Sequence, residues 1–573
     1  MAPVTTTAEE AGPLIGAVES LRAQVAAARL PLDLVVTAGA RSNRGALLHQ
    51  LDDYVLPRLR SLDAPLLAVI GGSTGAGKST LVNSIVGNEV SRSGVLRPTT
   101  TSPVLVHHPD DEAWFSDRRI LPGLSRVTGA PGKHPEPGTV RLVASSALPA
   151  GMALLDAPDI DSVVHANRAI AEQLLMAADL WLFVTTAARY ADAVPWDLLR
   201  DASARGTAVA IVLDRVEPDV VDEVRPHLVE MLRDQGLGTS PVFTVPESSL
   251  TPEGLLPESA TSRLRAWLEA LAGDARARSI VVAQTLRGAM ASLDGRVDEL
   301  VDATRVQAAA ADALRDAVET AYASALAAVE EGVSDGTLLR GEVLARWQEL
   351  VGTGEFFKQV ETTVSRVRDR MTAAVTGRPR PEEGLDEALH TGVAALVRAH
   401  GESASSTVAR AWRRLPGGAQ LLDDRPELAS PDDPLGDRAD RLVRDWQGQL
   451  LQLIRSESGS RRTNARVAAY GVNGVGLFLM LVTFAHTGGL TGAEVGIAGG
   501  TSVLAQRVLE AIFGDQAVRS MAAKARRLLV EDVTALYAAE RGRFEAALED
   551  VGVADGQAEG LARAMGAVRE ANP

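Results

Sequence analysis

The chain has no cysteine. That excludes disulfides, disulfide-linked partners and thiolate metal sites, and it fits a reducing compartment. Aromatic residues make up only 4%, whereas Ala, Leu, Val and Arg are abundant, a balance that favours helices. Lysine is nearly missing: it occurs only at Lys78, Lys133, Lys358 and Lys524. A surplus of positive charge is absent too. The formal net charge of -16 argues against a protein that works by coating nucleic acid, so no nucleic-acid partner is expected. Met1 to Ala11 is polar and lacks the apolar centre of a secretory signal. Long uncharged apolar runs are missing until Val467. What is present is bulk: 573 residues, 46% of them hydrophobic, exceed what one core serves and predict two or more folded domains.

Patterning divides the chain. Residues 1–61 read as a helical segment. Leu47, Leu48, Leu51, Val55 and Leu59 recur at helical spacing, and Pro57 predicts a kink or an early end. Over 62–273, short apolar runs (Leu66–Ile70, Val104–His107, Ala153–Leu155, Leu180–Val184, Ala208–Leu213, Val242–Val245) alternate with amphipathic stretches. These stretches are Thr80–Val86, Asn167–Ala177, Trp196–Ala204, Val221–Leu232 and Ser262–Leu271. Such alternation predicts a mostly parallel α/β sheet with helices on both faces. Over 274–466 the strand signals fade, and Leu286, Met290, Leu293, Val297 and Leu300 form a coiled-coil-like seam. Pro- and Gly-containing breaks at Gly377–Gly384, Pro416–Gly418 and Pro426–Asp437 predict loops between the helices of this stalk-like region. Residues 467–505 are a hydrophobic tract, and 506–573 read as returning helices.

The chemistry-bearing motif is Gly72-Ser73-Thr74-Gly75-Ala76-Gly77-Lys78-Ser79. It follows a predicted strand and opens a predicted helix at Thr80, the context a phosphate-binding loop requires. Glycines let the backbone wrap phosphate, and N–H groups at the helix start supply positive potential. Lys78 is placed to reach the β- and γ-phosphates, and the Ser79 hydroxyl to bind Mg²⁺. Arg97-Pro98-Thr99-Thr100-Thr101-Ser102-Pro103 is a Thr-rich loop where a γ-phosphate sensor belongs. Thr100 and Thr101 are both candidates to complete the Mg²⁺ shell. Asp156, in Leu154-Leu155-Asp156-Ala157-Pro158-Asp159, stands at the C-terminal end of an apolar run and is a candidate to hold Mg²⁺ through water. On the base side, Asp214-Arg215-Val216-Glu217 ends another run. A carboxylate there accepts from the ring and amino N–H groups of guanine, which adenine lacks, so Asp214 and Glu217 are both candidates. Arg215 lies between them, and Glu247 follows the last run.

Together these pieces resemble the dynamin-like and Era-like P-loop GTPases, especially bacterial membrane-associated dynamin-like members. The resemblance rests on Gly72–Ser79, Arg97-Pro98-Thr99-Thr100, Asp156-Ala157-Pro158-Asp159 and the order of the elements, and it covers Ala64–Gly273. It implies an α/β P-loop GTPase domain plus a long α-helical region with a hydrophobic helical hairpin. It further implies GTP and GDP as ligands with Mg²⁺, GTP hydrolysis, self-association through the nucleotide-binding domains, and work on membrane lipids. Three positions depart from the pattern. Asp159 replaces the usual glycine, Asp214-Arg215-Val216-Glu217 replaces Asn-Lys-x-Asp, and Thr74-Gly75 stands where dynamins carry Gln-Ser. No glutamine is placed to orient water, so hydrolysis is expected to be slow in isolated domains and faster when they pair. The alternatives are a soluble Era-type regulatory GTPase and a nucleotide-binding scaffold with little turnover. A transporter ATPase is disfavoured, since no Leu-Ser-Gly-Gly-Gln-type signature is present.

Val467–Ala485 carries no charge and approaches the ~20 residues a spanning helix needs. A turn at His486-Thr487-Gly488-Gly489 and a shorter arm, Leu490–Ala505, complete a predicted membrane hairpin. Arg461, Arg462 and Arg466 before it, with Arg507, Arg519 and Lys524 after it, predict that both ends face the cytoplasm. The expected location is the cytoplasmic face of the cell membrane.

Overall fold

The computed structural model describes residues 8–92, 103–129, 138–160, 165–217, 219–334, 381–432, 434–457 and 515–572. The described residues form two compact units. One lies within Met1–Leu30, Val35–Val306 and Ala554–Pro573, the other within Pro31–Leu34 and Gln307–Val553.

The first unit holds an eight-stranded sheet: β1 (Leu66–Gly72), β2 (Val104–His107), β3 (Ser125–Thr128), β4 (Thr139–Ala144), β5 (Met152–Asp156), β6 (Leu180–Thr186), β7 (Ala208–Val216) and β8 (Val242–Pro246). Their order is β3-β4-β2-β5-β1-β6-β7-β8. All neighbours are parallel except β2 against β5. The central strands are continuous apolar runs because both faces are covered. On one face Val69, Leu155, Phe183 and Ile211 pack with Leu174 and Leu199. These last two come from α6 (His165–Met176) and α7 (Ala193–Ala204). On the other, Ile70, Leu154, Leu182 and Val212 meet Leu81, Ile85, Leu264 and Leu268. Those belong to α4 (Lys78–Val86) and α9 (Glu258–Gly273). Between them in the chain lie α5 (Glu112–Ser116) and α8 (Val221–Asp234). The six expected strands are present. β3 and β4 were not anticipated. They lie at one edge, and β4 alternates buried and half-buried positions, so neither carries an unbroken apolar run. Arg126 on β3 folds back to donate to the carbonyls of Leu121 at 2.9 Å and Leu124 at 2.6 Å.

A helical bundle completes this unit. It contains α1 (Ala8–Ala27), α2 (Thr37–Gln50), α3 (Leu56–Arg60), the start of α10 (Ala275–Ser334) and α15 (Gln557–Ala571). The seam residues Leu286, Met290, Leu293, Val297 and Leu300 are buried with Val18, Leu21, Leu561 and Met565. Both ends of the chain therefore join the bundle around α10, and the compact unit cuts across the segment boundaries drawn from sequence. Pro57 does not stop its helix. A single widened turn, Leu51–Val55, precedes it, and the helix resumes to Arg60, which accommodates the missing N–H. Arg58 ties α3 to the sheet. Its guanidinium pairs with the buried carboxylate of Asp179 and donates to Pro65 O at 2.8 Å, while Asp179 accepts from Leu67 N at 2.7 Å.

The second unit is helical: the remainder of α10, α11 (Pro381–Trp412), α12 (Gly418–Asp424), α13 (Leu435–Glu457) and α14 (Asp515–Val551). Leu314, Val318, Tyr322, Trp412, Trp446 and Phe544 share its core. The indole N–H groups of Trp412 and Trp446 donate to Leu314 O at 3.1 Å and Ala525 O at 2.9 Å, which satisfies them where water is excluded. One expected break needs correction: Pro381–Gly384 belongs to α11, because proline is compatible with the first turn of a helix. The predicted hairpin, 467–505, lies outside the described residues. Among the described residues no helix is long and apolar enough to cross a membrane.

Candidate functional site

The loop Ser73–Gly77 leaves the C-terminal end of central strand β1 and enters α4 at Lys78. The last residue of β1 and two glycines of the loop have positive φ: 152° at Gly72, 77° at Gly75 and 89° at Gly77. Gly72 is also sterically required. A Cβ on Gly72 would collide with the carbonyl oxygen of Val184, and one on Gly77 with the carboxylate of Asp214. The register carries the other parts to this edge, since Ile70 pairs with Asp156, Gly72 with Val184, and Thr186 with Asp214.

Lys78 is buried, and its ammonium makes three short contacts. It donates to Gly72 O at 2.9 Å, to Ser73 O at 3.1 Å and to Asp159 Oδ1 at 2.5 Å. Ser79 Oγ donates to Asp156 Oδ2 at 2.7 Å. The same carboxylate oxygen accepts from Ser91 Oγ at 2.5 Å. Asp156 is fully buried, and burial raises its pKa against the hydrogen bonds from Ser91 and Ser79 and the charge of Lys78. Its second oxygen, Oδ1, is buried with no hydrogen-bond partner among the described residues. A hydroxyl beside a carboxylate with a spare oxygen is the hard donor set that magnesium prefers, so Ser79 and Asp156 fit the ion the motif implies.

On the base side, Asp214 is buried, and Oδ1 accepts from the backbone N–H of Arg215 at 2.9 Å. Burial pushes its pKa up to about 6. Arg215 has a left-handed backbone, φ 54°, and turns the chain out of β7. Arg215, Glu217 and Glu247 are exposed. Glu247 N donates to Val216 O at 3.0 Å, which brings the loops after β7 and β8 together. The two carboxylates left open by the sequence are thus distinguished: Asp214 is wedged against the glycine loop, and Glu217 faces solvent. Thr74, Gly75, Ser79 and Thr80 are half-buried, and Ser73 and Ala76 are buried. Arg97, Thr99, Thr100 and Thr101 lie outside the described residues.

Two contributors escaped sequence reasoning. Asn83 Oδ1 accepts from the backbone N–H groups of Val90 and Ser91, both at 2.9 Å, and so sets Ser91 against Asp156. Arg189 Nη1 donates to Thr74 O at 2.8 Å and braces the outside of the loop. No spacing in the chain marks either, because their effect appears only when Ser91 meets Asp156 and Arg189 meets Thr74 across the fold.

Comparison with known proteins adds the following. The model of the Dynamin family matches residues 67–216, so the resemblance read from the motifs is shown for this segment. No curated protein matches the chain. Among solved structures, one member of an oligomerised bacterial dynamin pair, described as sensing and tethering membranes over long range, is 11% identical. The match covers 92% of each chain, with a TM-score of 0.44. LeoA, a bacterial dynamin GTPase from ETEC, is 12% identical over 100% of this chain and 99% of its own, with a TM-score of 0.24. Era from Aquifex aeolicus, bound to GDP and aluminium fluoride, is 20% identical over 34% of this chain and 62% of its own, with a TM-score of 0.22.

Proposed function

We propose that this chain binds GTP and GDP with magnesium at the C-terminal edge of β5, β1 and β7, hydrolyses GTP, and works on a membrane to which residues 467–505 anchor it. The observation that carries the nucleotide reading is the glycine loop between β1 and α4, with Lys78 buried at its mouth and Ser79 paired to Asp156. In this reading the backbone N–H groups of Thr74–Ser79 wrap the phosphates and Lys78 offsets the charge on the terminal oxygens. Ser79 and Asp156 hold magnesium, with Thr100 or Thr101 completing its shell. Bound magnesium supplies charge neutralisation on the phosphate oxygens. Glu217 accepts from the guanine edge, Asp214 keeps the glycine loop in register with β7, and Arg215 and Glu247 flank the base. The membrane part rests on the charge-free run Val467–Ala485 and its basic flanks.

The test is a titration of purified protein with guanine nucleotide in magnesium, comparing wild type with Lys78→Ala. Loss of tight binding in the variant is expected, since no other lysine is near in sequence. Equal affinity would remove the site assignment. One observation favours a second reading, a nucleotide-binding scaffold with little turnover: Lys78 is already engaged by Asp159. Single-turnover phosphate release separates the two.

A further inference from the structure

Asp159 occupies the position that the dynamin-like pattern gives to glycine, and the structure shows where its carboxylate goes. Its Oδ1 lies 2.5 Å from Lys78 Nζ, in a pair whose side chains are only 13% and 5% exposed. An ammonium has three N–H donors, and here the three acceptors are Gly72 O, Ser73 O and Asp159 Oδ1. Lys78 therefore has no donor left for a phosphate. Two of its acceptors are backbone carbonyls fixed by β1 and the glycine loop. The third is a side chain on the segment that leaves β5. This segment runs beside the loop, with Ala157 N donating to Ile70 O at 3.2 Å and Ile160 N to Gly72 O at 3.5 Å. The movable anion is Asp159.

We propose that Asp159 sets how strongly this site discriminates a nucleoside triphosphate from a diphosphate, by competing with the terminal phosphate for Lys78. The inference rests on the nucleotide reading of the site and deepens it. A β-phosphate lies deeper in the glycine loop and is held largely by backbone N–H groups. A γ-phosphate needs the lysine that Asp159 holds and would place like charge against a largely desolvated carboxylate, an arrangement that disfavours binding. Triphosphate entry therefore requires the Asp159 side chain to leave Lys78.

The experiment is equilibrium titration of the full chain with GDP and with a non-hydrolysable GTP analogue at fixed magnesium, for wild type, Asp159→Asn and Asp159→Glu. Asp159→Asn keeps the size and removes the charge. It is expected to raise the ratio of triphosphate to diphosphate affinity about tenfold or more, with GDP binding reporting that the variant is folded. Asp159→Glu keeps the charge and should leave the ratio within about threefold of wild type. A ratio that is unchanged or lower in Asp159→Asn overturns the proposal, as does an equal rise in Asp159→Glu or loss of both nucleotides in Asp159→Asn. A wild type that binds GDP and the analogue, with an unresponsive ratio, sinks this inference alone. A wild type that binds neither nucleotide sinks the reading of the site with it.

Discussion

Asp214 carries two consequences of one placement. Its carboxylate packs against Gly77, where a Cβ would meet it, and burial raises its pKa to about 6 from the ordinary 3.8. The folded state thus keeps this proton to higher pH than the unfolded chain does. The group favours folding below about pH 4, the advantage is lost as pH rises to about 6, and above that the buried charge is a standing cost. The interval corresponds to roughly 3 kcal/mol. Asp53, also raised to about 6 by burial, gives a slope of the same sign, so wild type alone does not isolate Asp214. Asp214→Asn does. In dilute protein, denaturant unfolding at several pH values should show the variant gaining on wild type between pH 4 and 6 and keeping a constant lead above. A difference between the two that does not change with pH would show that burial of this charge is not what sets the local energetics. At the neighbouring carboxylate, sequence supplied the identity but not the contact. Asp156 was legible from its position after an apolar run, whereas its clasp by Ser91 depends on Asn83 folding the chain back.

At the scale of elements, legibility followed burial. β1, β5, β6 and β7 are apolar runs because helices cover both faces, so their existence could be read directly. β3 is the edge strand and β4 lies between it and β2; they carry Arg126 and Arg141 in short mixed segments, and no periodicity of that length separates strand from loop. The seam from Leu286 to Leu300 was visible as a stripe, but its partners were not. They come from α1 and α15, at opposite ends of the chain, and a stripe does not name what covers it. Tract 467–505 remains a proposal resting on hydropathy and flanking charge. Its second arm carries Glu494, a carboxylate that would cost about 2.5–3.5 kcal/mol at a bilayer centre and much less near the interface. Alkaline carbonate washing of membranes checks it: the full-length protein should stay in the pellet. Release as a monodisperse, detergent-free species would show that the tract packs within protein instead.

At the scale of the molecule, α10 contributes to two cores. Leu293 and Val297 are buried in one unit and Leu314 and Val318 in the other, so the sequence boundary at 273/274 marks where strands end rather than where a compact unit ends. The proposed nucleotide site lies in the first unit, at the edge where β5, β1 and β7 finish. Everything proposed for the whole chain depends on that edge reading guanine nucleotides. The direct measurement is competition of GTP and ATP, each with magnesium, against a fluorescent GDP bound to the purified chain. In the proposed reading Glu217 accepts from the guanine N–H groups, a contact that adenine does not return. GTP should therefore displace the probe at concentrations at least about tenfold below those needed for ATP. Equal displacement by the two nucleotides would contradict the account.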